Sequence, residues 1–164
     1  MKIRYRAAVG GKNILYEEPL KEYLELILSV CSAETSSDPK NWSPDNPLYG
    51  HCAVVALLVQ EELGGKFMRA SLLSVRGYEQ MSSHYWNLLR DGGELDLTAS
   101  QFKNDDRLLV PRGESSKGGV PITRESLLEY EPTRKRYLLL KERFLNKKNK
   151  LKEFKLTIDY LYGL

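Results

Sequence analysis

The stretch "NPLYGHCAVVALLVQEELGG", Asn46–Gly65, decides the fold. From Cys52 to Leu63 the pattern is helical, apolar at first and then acidic. It stops at Gly64-Gly65, a pair suited to a left-handed C-terminal cap. The apolar run Ala53 to Val59 marks a core segment, and Cys52 stands at its mouth, directly after His51. Either Cys52 packs there or it does chemistry there.

Outward from this helix the chain alternates clear elements with loops. Pro19–Val30, "PLKEYLELILSV", reads as an amphipathic helix with Leu20, Tyr23, Leu24 and Ile27 on one face and Pro19 in its first turn. The next twenty residues, "SAETSSDPKNWSPDNPLYGH", form a long Ser/Pro/Asp/Asn loop, and loops of that length are often functional. Beyond the Gly pair, "KFMRASLLSV" and "SSHYWNLL" (Ser82–Leu89) read as strands. Asp91-Gly92-Gly93 is a hairpin turn, and "ELDL" returns from it. Thr98 and Gln101 suggest a capping box that opens a short helix. "VPRGESSKGGVP", Val110–Pro121, is a Gly/Ser/Pro loop expected, with the loop before Cys52, to border any active cleft. Helical segments follow around Thr123–Leu128 and Thr133–Asn146, and Leu151, Phe154, Ile158 and Leu161 suggest a final amphipathic helix. Helices first, then a small antiparallel sheet, then helices point to an α+β fold, expected as a single domain over 1–164.

Composition narrows the functional classes. Hydrophobic content of 41% and charged content of 29% are ordinary for a globular protein, and the net charge is only +3. The basic stretch "RKRYLLLKERFLNKKNKLKEFK", Arg134–Lys155, reads first as a solvated helix face, with nucleic-acid or acidic-partner binding as the alternative. No aromatic-interleaved motif supports nucleic acid. No apolar run approaches the roughly 20 residues of a membrane span. "MKIRYRAAVGGKN" has no hydrophobic region behind its basic residues, so no secretory signal is read, and the cytoplasm is the expected compartment. Cys31 and Cys52 are 21 positions apart (52 − 31), which is not a zinc-knuckle pattern.

A thiol becomes a useful nucleophile when it ionises, and a helix N-terminus favours the thiolate. Cys52 occupies that position, close behind Gly50, which is expected to leave room for a substrate. Its own backbone N–H is placed to help stabilise an oxyanion. The thiolate needs a base and an orienting group, and the chain has only two histidines. His51 precedes Cys52 directly, so its side chain points elsewhere. His84 sits in a strand, and Asp96 follows it by 12 positions (96 − 84) across the hairpin, within pairing distance. Glu94 and Asn87 are reserve orienters. Cys52, His84 and Asp96 thus make a triad by roles. Against this, a cysteine in an apolar helix is usually core, a lone strand histidine is usually structural, and Asp96 fits a turn or cap. Trp42 and Trp86 read as packing residues.

"SHYWNLLRDGGELDLT" resembles the His–Trp…Asp–Leu/Pro–Thr stretch of transglutaminase-like and other papain-fold proteins. The wider chain is more similar still to the YunG-like family of bacterial proteins of uncharacterised activity, through "WSPDNPLYGHC", "ALLVQEELGG", "SHYWNLL", "ELDLTASQF" and "TRKRYLLLKERF". The resemblance implies a papain-like α+β fold in which Cys52, His84 and Asp96 fall on nucleophile, base and orienter. It also places Asn46 roughly where such enzymes keep a side-chain oxyanion donor, although the papain motif around the cysteine is absent.

The chemistry open to such a site is acyl transfer: peptide or isopeptide hydrolysis, deamidation, or transfer to an amine. The substrate is then a protein, a peptide or a small amide, with no cofactor expected. The rival classes are a catalytically inactive papain-like binding module, and a metal site using Cys52, His84, Asp96 and either His51 or Cys31.

Overall fold

The computed structural model describes residues 6–9, 12–13, 18–73, 82–90, 92–102 and 120–162. Six short strands form one antiparallel sheet: β1 (Arg6–Val9), β2 (Lys12–Asn13), β3 (Lys66–Ser71), β4 (Ser83–Leu88), β5 (Glu94–Asp96) and β6 (Val120–Ile122), in the order β2-β1-β5-β4-β3-β6. Four α-helices accompany it: α1 (Glu18–Leu28), α2 (Cys52–Leu63), α3 (Arg124–Glu129) and α4 (Glu131–Tyr162). The protein is therefore of the α+β class.

Helix α2 is the centre of the core because its first eight residues, Cys52–Val59, are all buried. It packs on β4, with α4 on another side. A surface helix would show one apolar stripe, whereas this one is apolar all round until Gln60, as a core helix must be. Asn87 ties sheet to helix by donating its Nδ2 to the Ala56 carbonyl at 3.0 Å. That is its role, rather than orienting His84. The helix ends as the sequence implies. Gly64 has φ 74°, and its N–H closes on the Gln60 carbonyl at 2.8 Å.

The expected hairpin is present. Strand β4 pairs antiparallel with β5 through Asn87↔Leu95 and Leu88↔Glu94, and Leu89 N–H bonds the Gly93 carbonyl at 2.7 Å. Asp91 of the turn lies outside the described residues, as do the last two residues of "KFMRASLLSV" and most of the Val110–Pro121 loop, including Arg112–Gly119. The expectation that this second loop borders the cleft falls on those residues.

Two expectations change. The helices read separately over Thr133–Asn146 and around Leu151–Leu161 are one helix, α4. No Gly or Pro interrupts 133–162, so nothing there stops the ladder. The Thr98 capping box does not form. Its hydroxyl donates to Asp96 Oδ1 at 3.1 Å, and the following turn, Ala99–Phe102, is 3-10.

Part of the basic face of α4 is answered from within the molecule. Lys141 pairs with Glu61, as does Arg124 of α3, Lys148 pairs with Glu62 at 2.9 Å, and Arg143 with Glu34. Tyr137 hydroxyl donates to the same Glu61 carboxylate and accepts from Arg124. The Lys141 and Tyr137 hydrogen bonds hold Glu61 below the usual carboxylate range. These pairs fasten α3 and α4 to α2 and to the long loop, although exposed pairs of this kind contribute little each.

Candidate active site

The long loop before α2 is built rather than slack. After a 3-10 turn, Ala33–Thr35, the Ser36 hydroxyl donates to the Tyr49 carbonyl at 2.8 Å, and Ser37 N–H bonds the Gly50 carbonyl at 2.9 Å. Trp42 is a packing residue whose Nε1–H donates to the Pro47 carbonyl at 3.0 Å. Gly50 has φ 74°, and a Cβ there would lie 2.3 Å from Ser36 Oγ and 2.9 Å from Ser37 Oγ. Only glycine fits such a position. The Cβ direction of Gly50 is thus filled by loop serines, while the residue itself lines the cleft beside Cys52.

His51 faces this loop. Its Nδ1–H donates to the Tyr49 carbonyl at 2.9 Å, and its Nε2 lies 2.8 Å from the Thr35 hydroxyl. Burial draws its pKa down to about 4, with nearby Arg136 adding to the effect against the backbone hydrogen bonds. The ring is neutral and structural, pinning the loop to the start of α2. It points away from any role beside the thiol.

Cys52 opens α2 and is 6% exposed. Its Sγ lies 4.0 Å from the Ser83 carbonyl of β4, so strand and thiol are neighbours. The next residue of that strand, His84, is fully buried. Its Nε2–H donates to Asp96 Oδ2 at 2.6 Å. Cys52 is near enough to the same imidazole to help raise its pKa. Nε2 is committed to Asp96, and Nδ1 has Gln101 Nε2 at 3.5 Å. Asp96 is in turn held by Thr98, whose N–H and hydroxyl both reach Oδ1 at 3.1 Å. The structure therefore sets Cys52 against Ser83, the residue before His84, and bonds His84 to Asp96. The hairpin explains it: its register, extended by one residue, sets Asp96 beside Trp86, diagonal to His84.

The charge of His84 is the outcome of opposed effects. Burial pushes the imidazole towards neutrality. The Asp96 carboxylate and its hydrogen bond, helped by Cys52, overcome that and lift the pKa to about 9. Trp86 stacks on the ring with centroids 5.9 Å apart and 16° between planes, while Phe102 meets it edge-on at 4.8 Å. These aromatics fix the ring's plane.

Gln101 was not foreseen as part of the site. Its Oε1 accepts from Gly50 N–H at 3.3 Å, and its Nε2 donates to the Thr98 carbonyl at 3.0 Å while lying 3.5 Å from His84 Nδ1. It spans loop, hairpin and imidazole, 51 positions from Gly50 and 17 from His84. No local pattern announces such a contact. Asn46 is turned to this residue. Its Nδ2 donates to the Gln101 carbonyl at 2.9 Å, and it is not among the walls of the cleft beside Cys52.

That cleft has a volume of about 590 Å³. Ser36, Tyr49 and Gly50 line it from the first loop, as expected, with Ser83 and Tyr85 from β4 and Tyr130 and Arg136 from the start of α4. Leu48 is packed in the core instead, so the Gly50 side of Cys52 is the side that meets the cleft. Cys31 sits in the turn after α1, where burial pushes its thiol up to about 12. Among the described residues no three His, Cys, Asp or Glu side chains converge as metal ligands.

These features define an α+β protein with a cysteine at a helix start, backed by a buried His–Asp pair and facing a cleft. A family model described as YunG protein matches residues 19–149, and the chain belongs to that family. The matched span contains Cys52, His84, Asp96 and Gln101. No curated protein and no solved structure matches the chain. No helix among the described residues is long and apolar enough to cross a membrane.

Proposed function

We propose that this chain is a thiol-dependent acyl-transfer enzyme with a papain-like division of labour: Cys52 as nucleophile, His84 as acid and base, Asp96 as orienter. The observation that carries this reading is the buried His84 imidazole held at 2.6 Å by Asp96, on the strand whose Ser83 carbonyl lies 4.0 Å from the Cys52 sulfur. With its pKa near 9, His84 is an imidazolium at neutral pH and a counter-ion for a thiolate.

In the first half-reaction the Cys52 sulfur attacks the acyl carbon. The carbonyl electron pair moves onto oxygen, which the first N–H groups of α2 stabilise, since they have no intrahelical partners. The bond from carbon to the leaving nitrogen then breaks. That nitrogen takes the proton from His84 and departs as an amine or ammonia, leaving a thioester on Cys52. In the second half, water or an acceptor amine gives its proton to His84 and attacks the thioester. The product acid or amide leaves, and the thiolate–imidazolium pair is restored. Asp96 keeps the ring oriented and compensates its charge throughout.

Incubation with an activated acyl ester, followed by intact mass, tests this. One acetyl group from p-nitrophenyl acetate is expected on Cys52, absent in Cys52→Ala and formed far more slowly in His84→Ala. Acetylation that falls equally on Cys31 and Cys52, with no effect of His84→Ala, refutes it and leaves a catalytically inactive papain-like binding module.

A further inference from the structure

Of the two cationic side chains on the cleft wall, Lys135 is ion-paired and Arg136 is not. Glu34 is paired with Arg143, Lys135 with Glu131 at 2.7 Å, and Asp38 is bonded by Asn41 and the Tyr49 hydroxyl. Arg136 has neutral hydrogen-bond partners only. Its Nε–H donates to the Pro132 carbonyl at 3.1 Å and its Nη2 to the Thr133 hydroxyl at 3.0 Å, both within its own helix. Among the described residues no carboxylate pairs with it. Its Nη1 is buried and has no hydrogen-bond partner.

A buried guanidinium nitrogen without an acceptor is unfavourable in the free protein and is relieved by an incoming anion. Two of its three nitrogens are anchored, so the guanidinium is held in place before a ligand arrives. Burial lowers the pKa of Arg136, and the nearby Cys52 and Tyr130 push it back, which puts its charge within electrostatic reach of the sulfur. His84 is already provided to stabilise a thiolate, so a second cation beside Cys52 has another use.

We infer that Arg136 selects acyl substrates that carry a carboxylate within a few bonds of the reacting carbon, binding that carboxylate through its guanidinium. The inference rests on the acyl-transfer reading for its consequence, but anion binding by Arg136 is separable from turnover.

Alkylation of Cys52 by iodoacetate and by iodoacetamide tests it, because the two reagents differ in carrying a carboxylate or a neutral amide. In each, the sulfur forms a bond to the methylene carbon and iodide leaves. The native protein should prefer iodoacetate more than the same cysteine does in urea, and Arg136→Met should lower the iodoacetate-to-iodoacetamide rate ratio about 10-fold, as expected for one charge-assisted contact. Arg136→Lys, which keeps the charge and loses the fork, should retain part of the preference, and it decides the matter if the Met variant does not fold. A ratio unchanged in both variants, with both rates falling together, overturns the inference and makes Arg136 a residue that acts on the thiol.

If Cys52 reacts with neither reagent, the acyl-transfer reading fails and the binding step is measured alone. In Cys52→Ser protein, N-acetylglycinate should shift the Arg136 Nε–H NMR signal and N-acetylglycinamide should not. Loss in Arg136→Met of the N-acetylglycinate-induced shifts of the Tyr130 and Thr133 backbone amide signals supports the site. No shift with either probe overturns it.

Discussion

His51 and His84 are both fully buried and both flank the start of α2, yet the protein drives them in opposite directions. His51 meets a backbone carbonyl and a hydroxyl. Nothing there repays the loss of hydration by a positive ring, so its pKa falls to about 4. His84 is buried at least as deeply, but a carboxylate touches its Nε2, and its pKa rises to about 9. Burial is common to the two sites. The partner decides the charge, and with it whether the buried ring is a neutral loop anchor or an imidazolium.

The sharpest way to break this comparison is to remove each imidazole and read the reactivity of Cys52. His84→Ala should slow alkylation by iodoacetamide at pH 7 about 100-fold, within the range expected for loss of an acid–base partner. It should also lower stability by about 3 kcal/mol, because Asp96 loses a buried counter-ion. Urea titration with rate measurement on the folded baseline separates the two. An unchanged alkylation rate sinks the role given to His84.

The two rings also predict a stability maximum with two shoulders. His84, raised from 6.5 to about 9, contributes stability that is full below pH 6.5 and is lost as pH rises through 9. His51, lowered from 6.5 to about 4, contributes stability that is full above pH 6.5 and is lost as pH falls towards 4. At roughly 1.4 kcal/mol per pKa unit, each shoulder amounts to about 3 kcal/mol. Denaturant unfolding across pH 4–9 measures both. His51→Gln should flatten the acid shoulder only, and Asp96→Asn the alkaline one only; the reverse assignment contradicts the structure.

Asp96→Asn turns the second site towards the first by replacing the charge with a neutral partner. The His84 pKa should fall to or below its ordinary 6.5, as followed by NMR of the ring. Cys52 alkylation at pH 7 should slow about 10-fold, less than in His84→Ala, because the ring remains. A ring that still titrates near 9 in the Asn variant shows that Asp96 is not the cause of the shift.

The smallest expected effect on reactivity belongs to His51→Gln. Its loss should destabilise by about 1–3 kcal/mol through unsatisfied loop groups, while Cys52 alkylation in the folded state stays within about threefold of the native rate. A larger fall would mean that His51 acts on the thiol and not on the loop.

Much of the site was legible because its residue types are scarce. With two histidines and two cysteines in 164 residues, few pairings were open, and the hairpin placed His84 and Asp96 on neighbouring strands. Gln101 and Arg136 were not legible. Polar residues of those types are common, and their contacts with Gly50, His84 and the cleft arise 51, 17 and more positions away. Asn46 was chosen by its distance from Cys52 along the chain, and the fold turns its amide to Gln101 instead. The serine-rich loop read as open chain because side-chain hydrogen bonds such as Ser36 to Tyr49 have no period.

By itself the sequence determined the apolar helix at Cys52, its glycine stop, the hairpin across Gly92-Gly93 and hence the α+β class. Each follows from local spacing: apolar residues in a run, a left-handed cap, strands joined by a tight turn. Only the tertiary structure decided which buried histidine is charged, that the Cβ side of Gly50 is filled by Ser36 and Ser37, that Lys141, Arg143 and Lys148 of α4 are paired within the chain, and that Arg136 of the cleft wall keeps a nitrogen unpaired. The reason is physical. A local pattern sets backbone geometry and buried faces, whereas the energy of a charge or a polar atom depends on the partner that folding places within a few ångströms, however distant in sequence.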